Sequence, residues 1–145
     1  MDEPADDGAS TARRTAEAMQ RADAAARGAG VRVVEVRPGA ATTAMTVDER
    51  HVNGHGVCHG GYVFLLADAA MAYACNSHGV PTLASGADIA FLRPAALGDE
   101  LVAVAVERAV AGRSGLYDVT VRAGASVVAE FRGRTRRVPG LPGPA

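Results

Sequence analysis

Tryptophan is absent from these 145 residues, and only three phenylalanines and three tyrosines are present. So few rings leave little on which nucleic-acid bases could stack. Charge of one sign is also missing, since 15 basic and 16 acidic residues leave a net charge of −1. A nucleic-acid binder ordinarily carries a basic surplus, so that class is set aside. Two cysteines, Cys58 and Cys75, are too few to suggest a disulfide framework. Reduced thiols in a cytoplasm are the simpler reading. No apolar run approaches the ~20 residues needed to span a bilayer. The opening MDEPADDGAS is acidic and apolar-poor, unlike a secretory signal. No membrane partner is expected.

Hydrophobic residues, by contrast, make up 48% of the chain, enough for one core. The expected division is an acidic leader and accessory helix over 1–30, one main domain over 31–138, and a flexible tail over 139–145. Residues 1–9 read as a frayed leader. Thr11 to Arg27 is rich in alanine and other helix formers and is closed by Gly28 and Gly30. Its apolar stripe is mostly alanine with Met19, so weak packing is expected. Two strands follow, Val31–Arg37 and Ala40–Val47, joined by Pro38-Gly39, with Ala41, Thr43, Met45 and Val47 sharing a face.

Past a loop rich in glycine and histidine, Tyr62 to Gly79 is nearly apolar all round, which predicts a helix buried in a core. Four more strands are expected at Thr82–Leu92, Glu100–Val110, Leu116–Ala123 and Val127–Arg137. Leu116–Ala123 alternates most cleanly, with Tyr117, Val119, Val121 and Ala123 on one side. The fold class is therefore α+β, one antiparallel sheet around one long central helix, with an extra N-terminal helix.

Asp68 is the only formally charged residue between Arg50 and Asp88. Its helical neighbours Phe64, Leu65, Met71 and Ala72 cannot pair with it. An unpartnered carboxylate in such surroundings is either a structural group solvated at a subunit crevice or a working acid with a raised pKa. The loop before the helix favours the second. It ends His59-Gly60-Gly61, where a helix start exposes unpaired N–H groups and a partial positive charge, and where glycine allows close approach. Such a point could polarise a thioester carbonyl. Yet Gly60 and Asp68 lie eight residues apart, roughly 12 Å at 1.5 Å per residue. A general base must come within about 3 Å of the proton it takes. Two chains sharing each site resolve this, so an obligate homodimer is expected.

His51, His55 and His59 recur every fourth residue beside Cys58, a spacing that on a helix would suggest zinc. Gly54 and Gly56 interrupt the segment, so no metal site is expected. Cys58 reads as a packing residue, and His78 as one placed favourably near a helix C-terminus.

The run HVNGHGVCHGGYVFLLADAAMAYACNSHG resembles the signature of the PaaI-type, phenylacetate-pathway hotdog thioesterases. ASGADIAFLRPAALGDEL and GRSGLYDVTV resemble later segments of that family, and the likeness covers about Val31 to Arg137. It implies a hotdog fold, dimers and homotetramers, and hydrolysis of an acyl-CoA, phenylacetyl or a hydroxylated aryl-acetyl group above all. Asp68 would activate water or attack as nucleophile, and the Gly60 N–H would polarise the carbonyl, with His59 and Asn53 at matching catalytic-loop positions. Asn53 serves equally well as a structural brace for the loop. Gly61, Ser85, Arg93, Arg113 and Ser114 are the implied substrate contacts, Arg113 ahead of Arg93 for the CoA phosphates. No metal or redox cofactor is implied; coenzyme A enters only as part of the substrate. Two alternatives remain open at this point, a hotdog hydratase or dehydratase using His59 with Asp68, and a non-catalytic acyl-CoA-binding module.

Overall fold

The fold is that of a computed structural model, which describes residues 7–143. Most of the expected leader, residues 1–6, lies outside the described residues. The part within is helical, because Asp7 accepts from the Ser10 N–H at 2.8 Å and starts α1 at Gly8. The single expected accessory helix is two, α1 (Gly8–Ala22) and α2 (Ala24–Ala29). Asp23 divides them by leaving helical geometry and capping α2 through the Ala26 N–H at 3.0 Å. Gly28 lies inside α2, and Gly30 closes it in the left-handed conformation that glycine adopts without strain. As expected, α1 packs through small groups, burying Ala12 and Ala16.

Six strands follow, β1 (Arg32–Arg37), β2 (Ala40–Thr46), β3 (Thr82–Phe91), β4 (Glu100–Ala111), β5 (Ser114–Ala123) and β6 (Ser126–Arg137). They form one antiparallel sheet in the order β1-β2-β4-β5-β6-β3. Ala41, Thr43, Met45 and Val47 share the buried face of β2 and its extension, and Tyr117, Val119 and Val121 share that of β5. β5 begins at Ser114, two residues earlier than the alternation suggests. Gly112, at φ +59°, folds β4 back in a two-residue turn before Ser114 pairs with Ala111.

The central helix, α3 (Gly60–Asn76), lies along the inner face of this sheet. That wrap of one sheet around one helix is the hotdog arrangement. Val63, Leu66, Ala67, Ala70, Met71 and Ala74 are buried. The helix is not buried all round, however. Gly61, Phe64, Leu65, Asp68, Ala72 and Asn76 form a partly open stripe, the side left uncovered by both the sheet and the accessory helices.

Helix and sheet meet closely at Gly133, where an added β-carbon would overlap Met71 Sδ. Interiors this dense do not accept an extra methyl without displacing neighbours. Gly133→Ala is therefore expected to destabilise the fold by about 2 kcal/mol. A lowered urea midpoint at unchanged m-value would register it.

Candidate active site

The helix start decides what this end of the fold can do. His59, with φ −60° and ψ 134°, caps α3, and its Nδ1 accepts the Gly61 N–H at 3.2 Å. Its backbone oxygen takes the Tyr62 N–H at 2.9 Å. Among the described residues nothing accepts the Gly60 N–H, so one donor stays open at the positive end of the helix. Helix α3 thus begins two residues before the expected Tyr62, because the histidine side chain satisfies a glycine amide that would otherwise favour loop. Phe91 lies over Gly60, close enough that an added β-carbon would sit 3.0 Å from its ring. Gly60, Val63, Phe91, Leu92 and Arg93 help line a hollow of about 320 Å³.

Asp68 sits in the middle of the open stripe, half-buried. Among the described residues no donor bonds its carboxylate. Burial pushes its pKa above the usual carboxylate value, and the negative charge of Asp23 on α2 adds to the rise. Such an acid holds its proton to a higher pH than a solvated one and, once ionised, is a better proton acceptor.

The remaining expected residues separate into groups. Asn53 Oδ1 accepts the backbone N–H groups of His55 at 2.9 Å and Val57 at 3.3 Å, bracing the loop. Ser85 is exposed in β3, at the bulge where the pairing with β6 slips between Ala84 and Gly86. Arg93 stays near Gly60, its Nη1 bonded to the Val127 carbonyl at 3.1 Å. Arg113 and Ser114 lie at the other end of α3, since Ser114 and Leu83 both flank Arg136. The 17-residue helix spans roughly 25 Å. One chain therefore does not bring Arg113 and Gly60 together.

The histidines are spread as widely. His51 is buried, its Nδ1 accepting the Asp48 N–H at 2.9 Å and its Nε2 lying 2.7 Å from the Ala29 carbonyl oxygen. His55 is exposed in the loop. Cys58 is buried in the core, as expected of a packing residue. Arg132, Arg134 and Arg136 line the outer sheet face, where Arg132 bonds Asp118 at 2.7 and 2.9 Å and Arg134 bonds Asp88 at 3.0 Å.

One network escaped the sequence reading. His78 is not simply a residue near a helix end, because its Nε2 meets Glu107 Oε1 at 2.8 Å. The buried Tyr117 hydroxyl donates to the same oxygen at 2.7 Å. The signal was present: Glu107 continues the inward parity of Leu101, Ala103 and Ala105. Burial alone would raise the Glu107 carboxyl, but the bonds from Tyr117 and His78 outweigh it and hold the group below its usual value. A folded-state pKa below the unfolded one gives stability that is present above the ordinary glutamate value and disappears as pH falls through the lowered one. Glu107→Ala orphans the Tyr117 hydroxyl and is expected to cost about 1–3 kcal/mol. Thermal unfolding at neutral pH measures this, and the gap to wild type should narrow in acid.

Comparison with known proteins turns this geometry into a family. A profile of the Thioesterase superfamily matches residues 55–130, the stretch that holds both the open amide and the lone acid. The acyl-coenzyme A thioesterase PaaI of Escherichia coli is 43% identical over 128 residues, 88% of this chain and 91% of that one. The chain belongs to the thioesterase superfamily. The E. coli PaaI structure matches this thioesterase at TM-score 0.90 and 40% identity, over 93% of this chain and 99% of that one. A mutant structure of the phenylacetic acid degradation protein PaaI of Thermus thermophilus matches at TM-score 0.76 and 34% identity, over 78% and 97%. Among the described residues of the thioesterase, no helix is long and apolar enough to cross a membrane.

Proposed function

We propose that this thioesterase hydrolyses an acyl-CoA to the free acid and CoA, with the acyl group an aryl-acetyl or hydroxylated aryl-acetyl unit. The observation that carries the reading is a pair: the open Gly60 amide, and an unpartnered, half-buried Asp68 on the same helix. The amide polarises the thioester carbonyl. As general base, Asp68 takes a proton from water as the oxygen attacks, the C–S bond breaks, and the proton leaves on the CoA thiol. As nucleophile, Asp68 attacks the carbonyl itself, and the C–S bond breaks to give CoA thiolate and an acyl–Asp68 anhydride. Water then opens the anhydride to the free acid, its proton going to the thiolate. No metal or redox group is needed for these steps. The aryl-acetyl class rests on the likeness to the PaaI proteins.

The minimal working unit in this reading is a homodimer, two of which make a homotetramer. β3 is a sheet edge with one side unpaired, and Leu83, Phe91 and Leu92 stand 51%, 54% and 54% exposed on or beside it. An exposed edge of this kind invites another strand. Antiparallel pairing of two β3 edges would run the two α3 helices in opposite directions. Gly60 and Arg93 of one chain would then face Asp68, Ser85, Arg113 and Ser114 of the other. The cytoplasm, where Cys58 and Cys75 stay reduced, is the compartment this reading assigns.

The hydratase alternative would pair His59 with Asp68 of the facing chain, but His59 Nδ1 is already engaged by the Gly61 N–H at 3.2 Å. Phenylacetyl-CoA with a thiol reagent is the direct assay. Thiol release supports hydrolysis; conversion of an enoyl-CoA without thiol release, or binding without turnover, overturns it. Mixing inactive Asp68→Ala and Gly60→Pro chains tests the shared site. Random pairing should restore about a quarter of wild-type activity, because half the dimers are mixed and each carries one intact site. Mixed dimers without recovery would defeat the two-chain geometry.

A further inference from the structure

Helix α2 ends on two carbonyls that the loop before α3 takes up in turn. Gly28 O accepts from Arg50 Nη1, and Ala29 O meets His51 Nε2 at 2.7 Å. Arg50 and His51 belong to one short turn, Glu49–His51, which Asp48 caps. His51 Nδ1 accepts the Asp48 N–H, so Nε2 carries the ring hydrogen and is the donor to Ala29. The imidazole is buried, and it meets the Tyr62 ring of α3 edge-on with centroids 4.8 Å apart. Bonded at both nitrogens and packed on one side, the ring is fixed in place.

The residue so fixed holds the working end of α3. The His51 backbone oxygen accepts the His59 N–H at 2.7 Å. On its other side, the His59 carbonyl accepts the N–H groups of Tyr62 at 2.9 Å and Val63 at 3.4 Å. That carbonyl and the Gly60 N–H share one planar trans peptide, so they point in opposite directions. With the carbonyl drawn into the helix, the Gly60 N–H is aimed out of its start. The aim depends on His59, and His59 hangs from His51.

We propose that His51 is a positioning residue for the reaction, fixing the Gly60 amide by joining the end of α2 to the residue that caps α3. The proposal rests on the reading of Gly60 as the donor to the thioester carbonyl. It gives the accessory helices a part in the chemistry, because α2 supplies the acceptor on which the joint is anchored. An oxyanion donor is effective when it is held at its aim before charge develops. A slack donor costs rate and leaves substrate binding nearly unchanged.

His51→Asn keeps an acceptor near the place of Nδ1 but is too short to reach Ala29, whereas His51→Gln reaches it. With phenylacetyl-CoA, His51→Asn should lower kcat about ten- to a hundredfold, with KM within about twofold of wild type. His51→Gln should recover most of that loss. Arg50→Ala, on a half-exposed side chain, loosens the same joint from the surface and should lower kcat in the same direction. The deciding measurement combines each substitution with Gly60→Pro. A residue that acts through the amide has nothing further to lose once the amide is gone. The double variant should then match Gly60→Pro alone within about twofold in kcat. A residue that merely braces the fold would cost the same factor in both backgrounds, and that result overturns the proposal. A folded His51→Asn with wild-type kcat does so too. Should His51→Asn fail to fold, Arg50→Ala decides by the same comparison, and an unchanged kcat there counts against the joint. Undiminished kcat in Gly60→Pro alone overturns the underlying reading of Gly60 instead.

Discussion

Asp68→Asn is expected to lower kcat about a thousandfold with little change in KM, because it removes the proton acceptor and keeps the side chain's size. The same substitution should raise the melting temperature at neutral pH. Burial, and then the charge of Asp23, lift the Asp68 carboxyl above its usual value, so the folded chain holds that proton more tightly than the unfolded chain does. The ionised acid therefore opposes folding at neutral pH, and this opposition fades as pH falls through the raised value. Activity and stability move in opposite directions, which no misfolded variant could imitate. A variant both inactive and less stable would point to a bracing role for Asp68. In the wild type, the acid limb of kcat/KM should lie above the ordinary carboxylate range.

Gly60→Pro should cost about a hundred- to a thousandfold in kcat, the usual loss when one oxyanion donor is removed. Gly60 is the first residue of α3, the position where proline fits a helix without losing a backbone bond. His59, at φ −60° and ψ 134°, already has the extended geometry that precedes proline. The helix should survive, as circular dichroism can verify. Gly60→Ala is the control. It keeps the N–H and sets its β-carbon 3.0 Å from the Phe91 ring. Equal losses in both variants would mean that crowding at Phe91, rather than the missing amide, limits the enzyme.

Strands were legible because alternation survives in the sequence: Tyr117, Val119 and Val121 are apolar at every second place and are buried in that order. Asp68 was legible for a related reason, as the one formal charge in a long apolar stretch. What failed was decided across space. Asp23 looks like one more polar residue in an alanine-rich helix, and only its bond to the Ala26 amide makes it a break. His59 and the two glycines after it look like loop until the imidazole is seen capping Gly61. The bonds of Glu107 to His78 and Tyr117 join residues 29 and 10 positions away, beyond any local pattern. The open stripe on α3 also has no sequence signature, because apart from Asp68 and Asn76 it is made of the same apolar residues as the buried faces.

The alanine contacts of α1 have a dynamic consequence. Ala12 and Ala16 bury little area, whereas α3 is anchored by Leu66, Met71 and Tyr73 and tied at its far end through His78 and Glu107. Local opening is cheapest where the least apolar surface must be exposed. Amide exchange should therefore be fast across both accessory helices and slow in the centre of α3, with the first unit peeling away while the sheet stays folded. In that partly opened form Tyr73, now buried behind Asp23 and Arg27, would meet water, so the periphery would breathe without moving a single strand.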